Sequence, residues 1–304
     1  LALLRRIERI IPDDPTLQHL IGSRAIALNR PRETLAATSA VIVGRGREIY
    51  LHNPVFVSRV LHCATSHNIL GNHSEELRAA RMGLEYFPTH HDLLVAEARA
   101  LVVLGDETGL EQVVTRALST PTGWTPANLL IEAAATARAH GRPDRARMLA
   151  HRALTVLDDR ADPNGAFFEG WLRAQALVLA EELDRAQALL ENVRSMEEKG
   201  TAFQSLGVEG WLGAVAARRG DLETAHAIDR TLAGLGAGQS RGWPSHYRAA
   251  IAAWLGHRAQ AMELLSQSRA EGWGSFYFFH DNHRVLFEPL EGMDEYEALL
   301  HPDG

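Results

Sequence analysis

The chain has 304 residues, 46% of them hydrophobic and 23% charged, a composition with enough apolar side chains for a sizeable core. A single core stops growing at roughly 250–300 residues, so this length implies two domains or a repeat array. The formal net charge of -7 argues against direct nucleic-acid binding, which calls for a basic stripe. Cys63 is the only cysteine, which excludes an intrachain disulfide and a cysteine zinc site.

The predicted elements are helices. Leu1, Leu3, Leu4, Ile7, Ile10 and Ile11 form the apolar stripe of an opening helix expected to pack on the pair that follows. Pro12-Asp13-Asp14-Pro15 is a turn, and Thr16 is the expected N-cap of a helix running through Ala27. Val41-Ile42-Val43 is too short for a strand and fits a buried helix end. Pro54 opens the helix that carries Cys63; Ser74-Glu75-Glu76 opens the next, with acids where the helix dipole favours them. Ala146, Leu149, Ala150 and Ala153 line a later helix at i, i+3, i+4 and i+7, and Leu183, Ala186, Leu189 and Leu190 repeat that stripe. Residues 158–165, 198–200 and 234–242 read as loops between pairs. No apolar run reaches the ~18 residues that would span a membrane.

Seven turn signals recur between these helices: Asn29, Gly71, Gly105, Gly141, Glu181, Gly220 and Gly256, at steps of 42, 34, 36, 40, 39 and 36 residues. Glycine suits such a site because it accepts the positive φ that ends a helix. Asn29 and Glu181 depart from the rule and are placed by their neighbours. Seven residues before each turn stands a small residue: Gly22, Ala64, Ala98, Ala134, Ala174, Gly213 and Ala249. Five residues after each stand Thr34, Glu76, Leu110, Ala146, Ala186, Ala225 and Ala261. Small residues on both sides of a turn let two antiparallel helices approach closely.

This pattern resembles the tetratricopeptide repeat over about residues 15–270, most clearly from Gly71 to Ser268. The family's aromatic near the start of the first helix is matched only loosely by Trp171 and Trp211, and its inter-repeat proline only at Pro88. The closing stretch, with Phe287-Glu288-Pro289-Leu290 and then Tyr296 and Leu299-Leu300, is similar to the end of tetratricopeptide regions in bacterial multidomain signalling proteins. The resemblance implies an all-α, right-handed solenoid of about seven antiparallel helix pairs. An N-terminal helix and turn (1–15) would precede the repeats (16–270), and a C-terminal cap (271–304) would close them. It also implies a cytoplasmic scaffold, or a regulatory or sensory region, that binds a protein or peptide segment. Because the chain opens on Leu1, a domain preceding it is an expected partner. The alternative is an effector- or peptide-sensing solenoid of a transcription regulator or signalling enzyme. No cofactor, metal, nucleic acid or membrane insertion is expected.

Signals for catalysis are weak. Gly44-Arg45-Gly46-Arg47 lacks the third glycine of a phosphate loop. Cys63, flanked by His62 and His67, has the residue types of a thiol nucleophile, but its place beside the packed Ala64 points to a buried structural cysteine. His90-His91 and His280-Asp281-Asn282-His283 read as exposed or capping histidines, since two imidazoles without a third ligand hold a metal poorly. An enzyme is therefore not expected.

In a tetratricopeptide array the first helices of successive pairs line a concave groove. Positions three, six and ten before each turn then supply Asn68, Arg99, Arg138, Trp171, Gln175, Val178 and His246 as the candidate partner groove. Two guanidiniums suit carboxylates and tryptophan suits an apolar anchor, so the expected ligand is a segment carrying an acid and an apolar side chain. The competing reading pairs Arg99 and Arg138 with neighbouring acids such as Glu97 or Glu132. Trp243, Trp254, Trp273 and Phe276–Phe279 concentrate aromatics near the closing cap, either as core or as a homodimer surface.

Overall fold

The computed structural model describes residues 1–11, 14–43, 54–119, 124–159, 166–196, 201–235, 242–272 and 281–300. Gly44-Arg45-Gly46-Arg47, Pro12-Asp13, Trp273, Phe276–Phe279 and His280 lie outside the described residues. Among the described residues there is no strand. After α1 (Ala2–Glu8), the described helices up to Ala270 come as seven hairpins. They are α2 (Pro15–Ala27) with α3 (Pro31–Val43), α4 (Pro54–Ile69) with α5 (His73–Leu84), α6 (His91–Leu104) with α7 (Glu107–Leu118), and α8 (Trp124–Ala139) with α9 (Pro143–Asp159). Then follow α10 (Ala166–Leu179) with α11 (Leu183–Ser195), α12 (Ala202–Arg219) with α13 (Leu222–Ala233), and α14 (Trp243–Trp254) with α15 (Arg258–Ala270). A closing segment consists of α16 (Asp281–Arg284), a 3₁₀ turn (Val285–Leu290) and α17 (Asp294–Leu300).

All seven turn residues take a positive φ, including Asn29 at 56° and Glu181 at 65°. At Asn29 and Glu181 a side chain bears the steric cost that glycine avoids at the other five turns. Where the glycine is followed by aspartate, two residues complete the connection. Gly105 ends α6 and the Asp106 carboxylate accepts from the Gly109 N–H at 2.8 Å; Gly220 ends α12 and Asp221 accepts from the Thr224 N–H at 3.2 Å. The N-cap of α2 is Asp14, whose Oδ1 accepts from the Leu17 N–H at 2.7 Å, rather than Thr16. Pro15 takes the first helical position, where its missing N–H costs nothing, and this places the cap two residues before the expected Thr16.

Every small residue seven before a turn is buried, as is every residue five after it. Among the latter, Glu76 stands out as an acid at a helix-contact position, with none of its surface exposed. The opening stripe divides. Leu1, Leu4 and Ile7, one helical turn apart, pack on Leu17, Ile21 and Ala37. Leu3 points away, 66% exposed, and Ile10 and Ile11 fall beyond the end of α1. The expected single stripe is therefore shorter and narrower, because the helix stops at Glu8 and position 3 faces away from the side that 1, 4 and 7 share.

The described residues fall into two compact units, those of Leu1–Thr120 and Ala298–Gly304, and those of Pro121–Trp273 and His280–Glu297. Within the first unit α2 packs on α4 and α4 on α6; within the second, α8 packs on α10, α10 on α12 and α12 on α14. The first helices of each unit thus make a continuous layer, backed by the second helices. No described helix is long and apolar enough to cross a membrane.

Candidate functional site

The candidate groove residues separate by unit. In the first, Arg99 is 4% exposed and its guanidinium donates to Glu76 Oε1, through Nη2 at 2.9 Å and Nε at 3.2 Å. Asn68 donates to Glu76 Oε2 at 3.1 Å, and His73 Nδ1 lies at the same distance from that oxygen. The acid at the helix-contact position is therefore the centre of a buried polar cluster, and Arg99 and Asn68 serve it. Glu97 is held by Arg81 at 2.9 Å and by Arg116, so it is not the partner of Arg99. Cys63 is buried, and burial pushes its thiol up to about 11, far from a nucleophilic thiolate.

In the second unit Arg138, Trp171, Gln175, Val178 and His246 lie on α8, α10 and α14. Gln175, Val178 and His246 are buried, and Trp171 is half-buried. The Trp171 indole lies against the backbone of Gly207, whose missing side chain leaves room for it. The chain's own closing segment packs on α8 and α14 of this layer. Glu288 pairs with Arg138, its Oε2 accepting from Nη2 at 3.1 Å. On its other side Arg138 lies 2.6 Å from Glu181, the residue of the strained turn, and Glu181 also accepts from Arg218 at 3.4 Å. Two guanidiniums and two carboxylates thus alternate across the ends of three hairpins and the closing segment. The hydrogen bond from Arg138 holds the Glu181 carboxyl below its ordinary range. Burial opposes the charge of Arg138, but hydrogen bonds and Coulomb attraction from Glu288 and Glu181 more than offset it and raise its pKa. Arg218 also lies over the Trp254 ring, 4.7 Å from its centroid.

Beside this charge network lies a pocket of rings. His283 is buried, with its Nδ1 2.9 Å from His246 Nε2, and its ring stands about 6 Å from those of Trp211, Trp243 and Tyr247. Phe287 sets its edge on His246 at 5.0 Å and meets Tyr296 at 6.2 Å. The reading of His283 as exposed or capping is therefore corrected. An imidazole that shares one proton with another is satisfied inside an apolar cluster, and burial among rings follows. Trp243 belongs to this core, so that part of the aromatic concentration is packing. Sequence reasoning did not read Glu181, Arg218, His283, Phe287 or Glu288 as site residues, although it named all but Arg218 in other roles. One signal was available for Glu288: residues 271–304 hold eight acids against Arg284 alone.

Two histidines, His246 buried and His62 half-buried, give the chain a pH dependence. Burial, then the His19 ring stacked 5.8 Å away, pulls His62 down to about 4. Burial and His283 hold His246 well below its ordinary 6.5. Both are neutral when folded, so as pH falls through 6.5 the unfolded chain takes up the proton first. Stability is then lost by up to about 1.4 kcal/mol per pH unit per group, down to about pH 4 for His62. Thermal midpoints should be flat above pH 7 and fall below 6.5, and His62→Gln or His246→Gln should each make that fall shallower. An unchanged slope in both variants would refute the assignment.

A separate cavity of about 380 Å³ in the second unit is lined by Phe167, Leu206, Val208 and Leu235, with Arg194 and Glu209 paired at 2.8 Å along it.

No family model matches the chain, and no curated protein matches it. Among solved structures, the chain is similar to the 2.39 Å crystal structure of a tetratricopeptide repeat protein from Parabacteroides merdae ATCC 43184. The two are 10% identical, over 90% of this chain and 98% of that one, with a TM-score of 0.43.

Proposed function

We propose that the chain is an interaction scaffold or regulatory region that holds a segment of another protein on the first-helix layer of its hairpins, and that it is not an enzyme. What supports this reading is the seat of the closing segment. The first-helix layer of the second unit already holds a polypeptide segment, through a carboxylate on Arg138 and rings against His246. An acid with an adjacent apolar anchor is also what a groove containing Arg138 and His246 is chemically fitted to take. In the first unit Arg99 is engaged by Glu76, so the proposed site is confined to the second.

The test is site-specific photo-crosslinking in cells of the source organism. A benzophenone residue replaces either Trp171, on α10, or Met148, which is 50% exposed on the second helix α9. The expected result is a protein adduct from position 171 that is absent from position 148. Adducts from 148 alone, or from neither, would overturn the reading. The alternative, effector sensing, draws on the apolar 380 Å³ cavity, which lies in the size range of small-molecule sites.

A further inference from the structure

The closing segment is built differently from the hairpins it covers. Four residues of α-helix run into a six-residue 3₁₀ turn that contains Pro289, too short for the segment to support its own conformation. Its order comes from side chains: Val285, Leu286, Phe287 and Leu290 are buried, and His283 and Glu288 make the polar contacts described above. The layer beneath is also incomplete without it. Arg138 and Arg218 face Glu181 alone until Glu288 arrives, which leaves one half-buried positive charge uncompensated. The ring cluster of Trp211, Trp243, His246 and Tyr247 would likewise lose the two rings that roof it. These are the features of a peptide in a receptor rather than of a repeat's second helix.

We infer that Asp281–Leu290 is a resident self-ligand, and that the groove takes in trans a partner segment of the same chemistry: a ring that reaches His246, then an aromatic followed at once by a carboxylate and an apolar residue. This rests on the groove reading above and adds to it both the partner's class and a gate. The tethered segment competes at a high effective concentration, so a free partner binds with an affinity reduced by the fraction of chains whose segment is lifted. Charge complementarity selects the occupant: an acid satisfies Arg138, while a base or an uncharged segment leaves it unpaired.

The experiment uses full chains and a fluorescent synthetic peptide of residues 281–297. Glu288→Arg in the chain sets a third positive charge against Arg138 and Arg218 and should release the resident segment. The expected result is at least roughly tenfold tighter peptide binding by this variant than by wild type. A peptide that itself carries Glu288→Arg should lose this binding, and a chain carrying Arg138→Glu alone, whose resident Glu288 is then repelled, should bind that peptide. A folded variant that binds the peptide no better than wild type would overturn the self-ligand while leaving the crosslinking test of the scaffold reading intact. Dimers that form through exchanged closing segments and dissolve on adding peptide would make a second copy the occupant, which also overturns a foreign partner. If Glu288→Arg fails to fold, hydrogen exchange on the wild-type chain decides. Amides of 285–290 that exchange well before those of α14 support a segment that lifts locally; exchange together with α14 overturns it.

Discussion

Replacing Glu76 with alanine is expected to destabilise the first unit by about 3–5 kcal/mol, because it strands the Arg99 guanidinium in the interior. Glu76 is fully buried and Arg99 nearly so, and Asn68 and His73 lose their acceptor in the same stroke. A drop of roughly 10 °C in the melting midpoint is the corresponding observable. The double variant Glu76→Leu/Arg99→Met should recover most of that loss, since apolar residues of similar volume avoid the desolvation of both charges. A midpoint unmoved by Glu76→Ala would mean that Arg99 is not tied to it and is available to a ligand after all. The same pairing bears on how a groove variant should be designed. Arg99→Glu would set two carboxylates together in the interior and unfold the unit, so a loss of binding in that variant would say nothing about recognition.

The second large effect is expected on α12. A side chain built at Gly213 would place its first carbon 2.5 Å from Ile251 Cδ1 and 2.9 Å from Ile228 Cγ2, and at Gly210 it would enter the Tyr247 ring at 2.0 Å. Both α14 residues are buried and held by their own neighbours; Tyr247 is stacked on Trp243 at 5.4 Å. Gly213→Leu should therefore cost about 3 kcal/mol or more, and Gly210→Ala about 1–3 kcal/mol, both by overpacking. Ala174→Leu, at the equivalent position of α10, is expected to cost about 1–3 kcal/mol. Chemical denaturation of the three variants is the direct measurement. Unchanged midpoints for Gly213→Leu and Ala174→Leu would mean that α12 and α10 do not meet their neighbours at these positions.

Much of the helical architecture could be read from residue types. A turn that needs positive φ selects glycine, and a close helix contact selects Ala or Gly, so both constraints leave a trace at the residue that bears them. Even Asn29 and Glu181, which break the glycine rule, adopt the left-handed conformation that their neighbours implied. The N-cap of α2 and the face of Leu3 were misread where two local options lie within two residues or one hundred degrees of each other.

The candidate site was legible only on one side. Arg138 and His246 follow from their spacing to a turn, but their partners Glu288 and His283 do not, because the Arg138–Glu288 pair spans 150 positions and the His246–His283 pair 37. Arg99 met Glu76, which neither the groove reading nor the competing one (acids such as Glu97 or Glu132) had named, for the same reason. Local sequence alone therefore determined the hairpins, their turns and their contact positions, each set by sterics within a few residues. Which charge neutralises which, and which segment covers the first-helix layer of the second unit, was decided only by the tertiary structure. Those pairings depend on where the packed helices bring distant surfaces together, and no local preference encodes that.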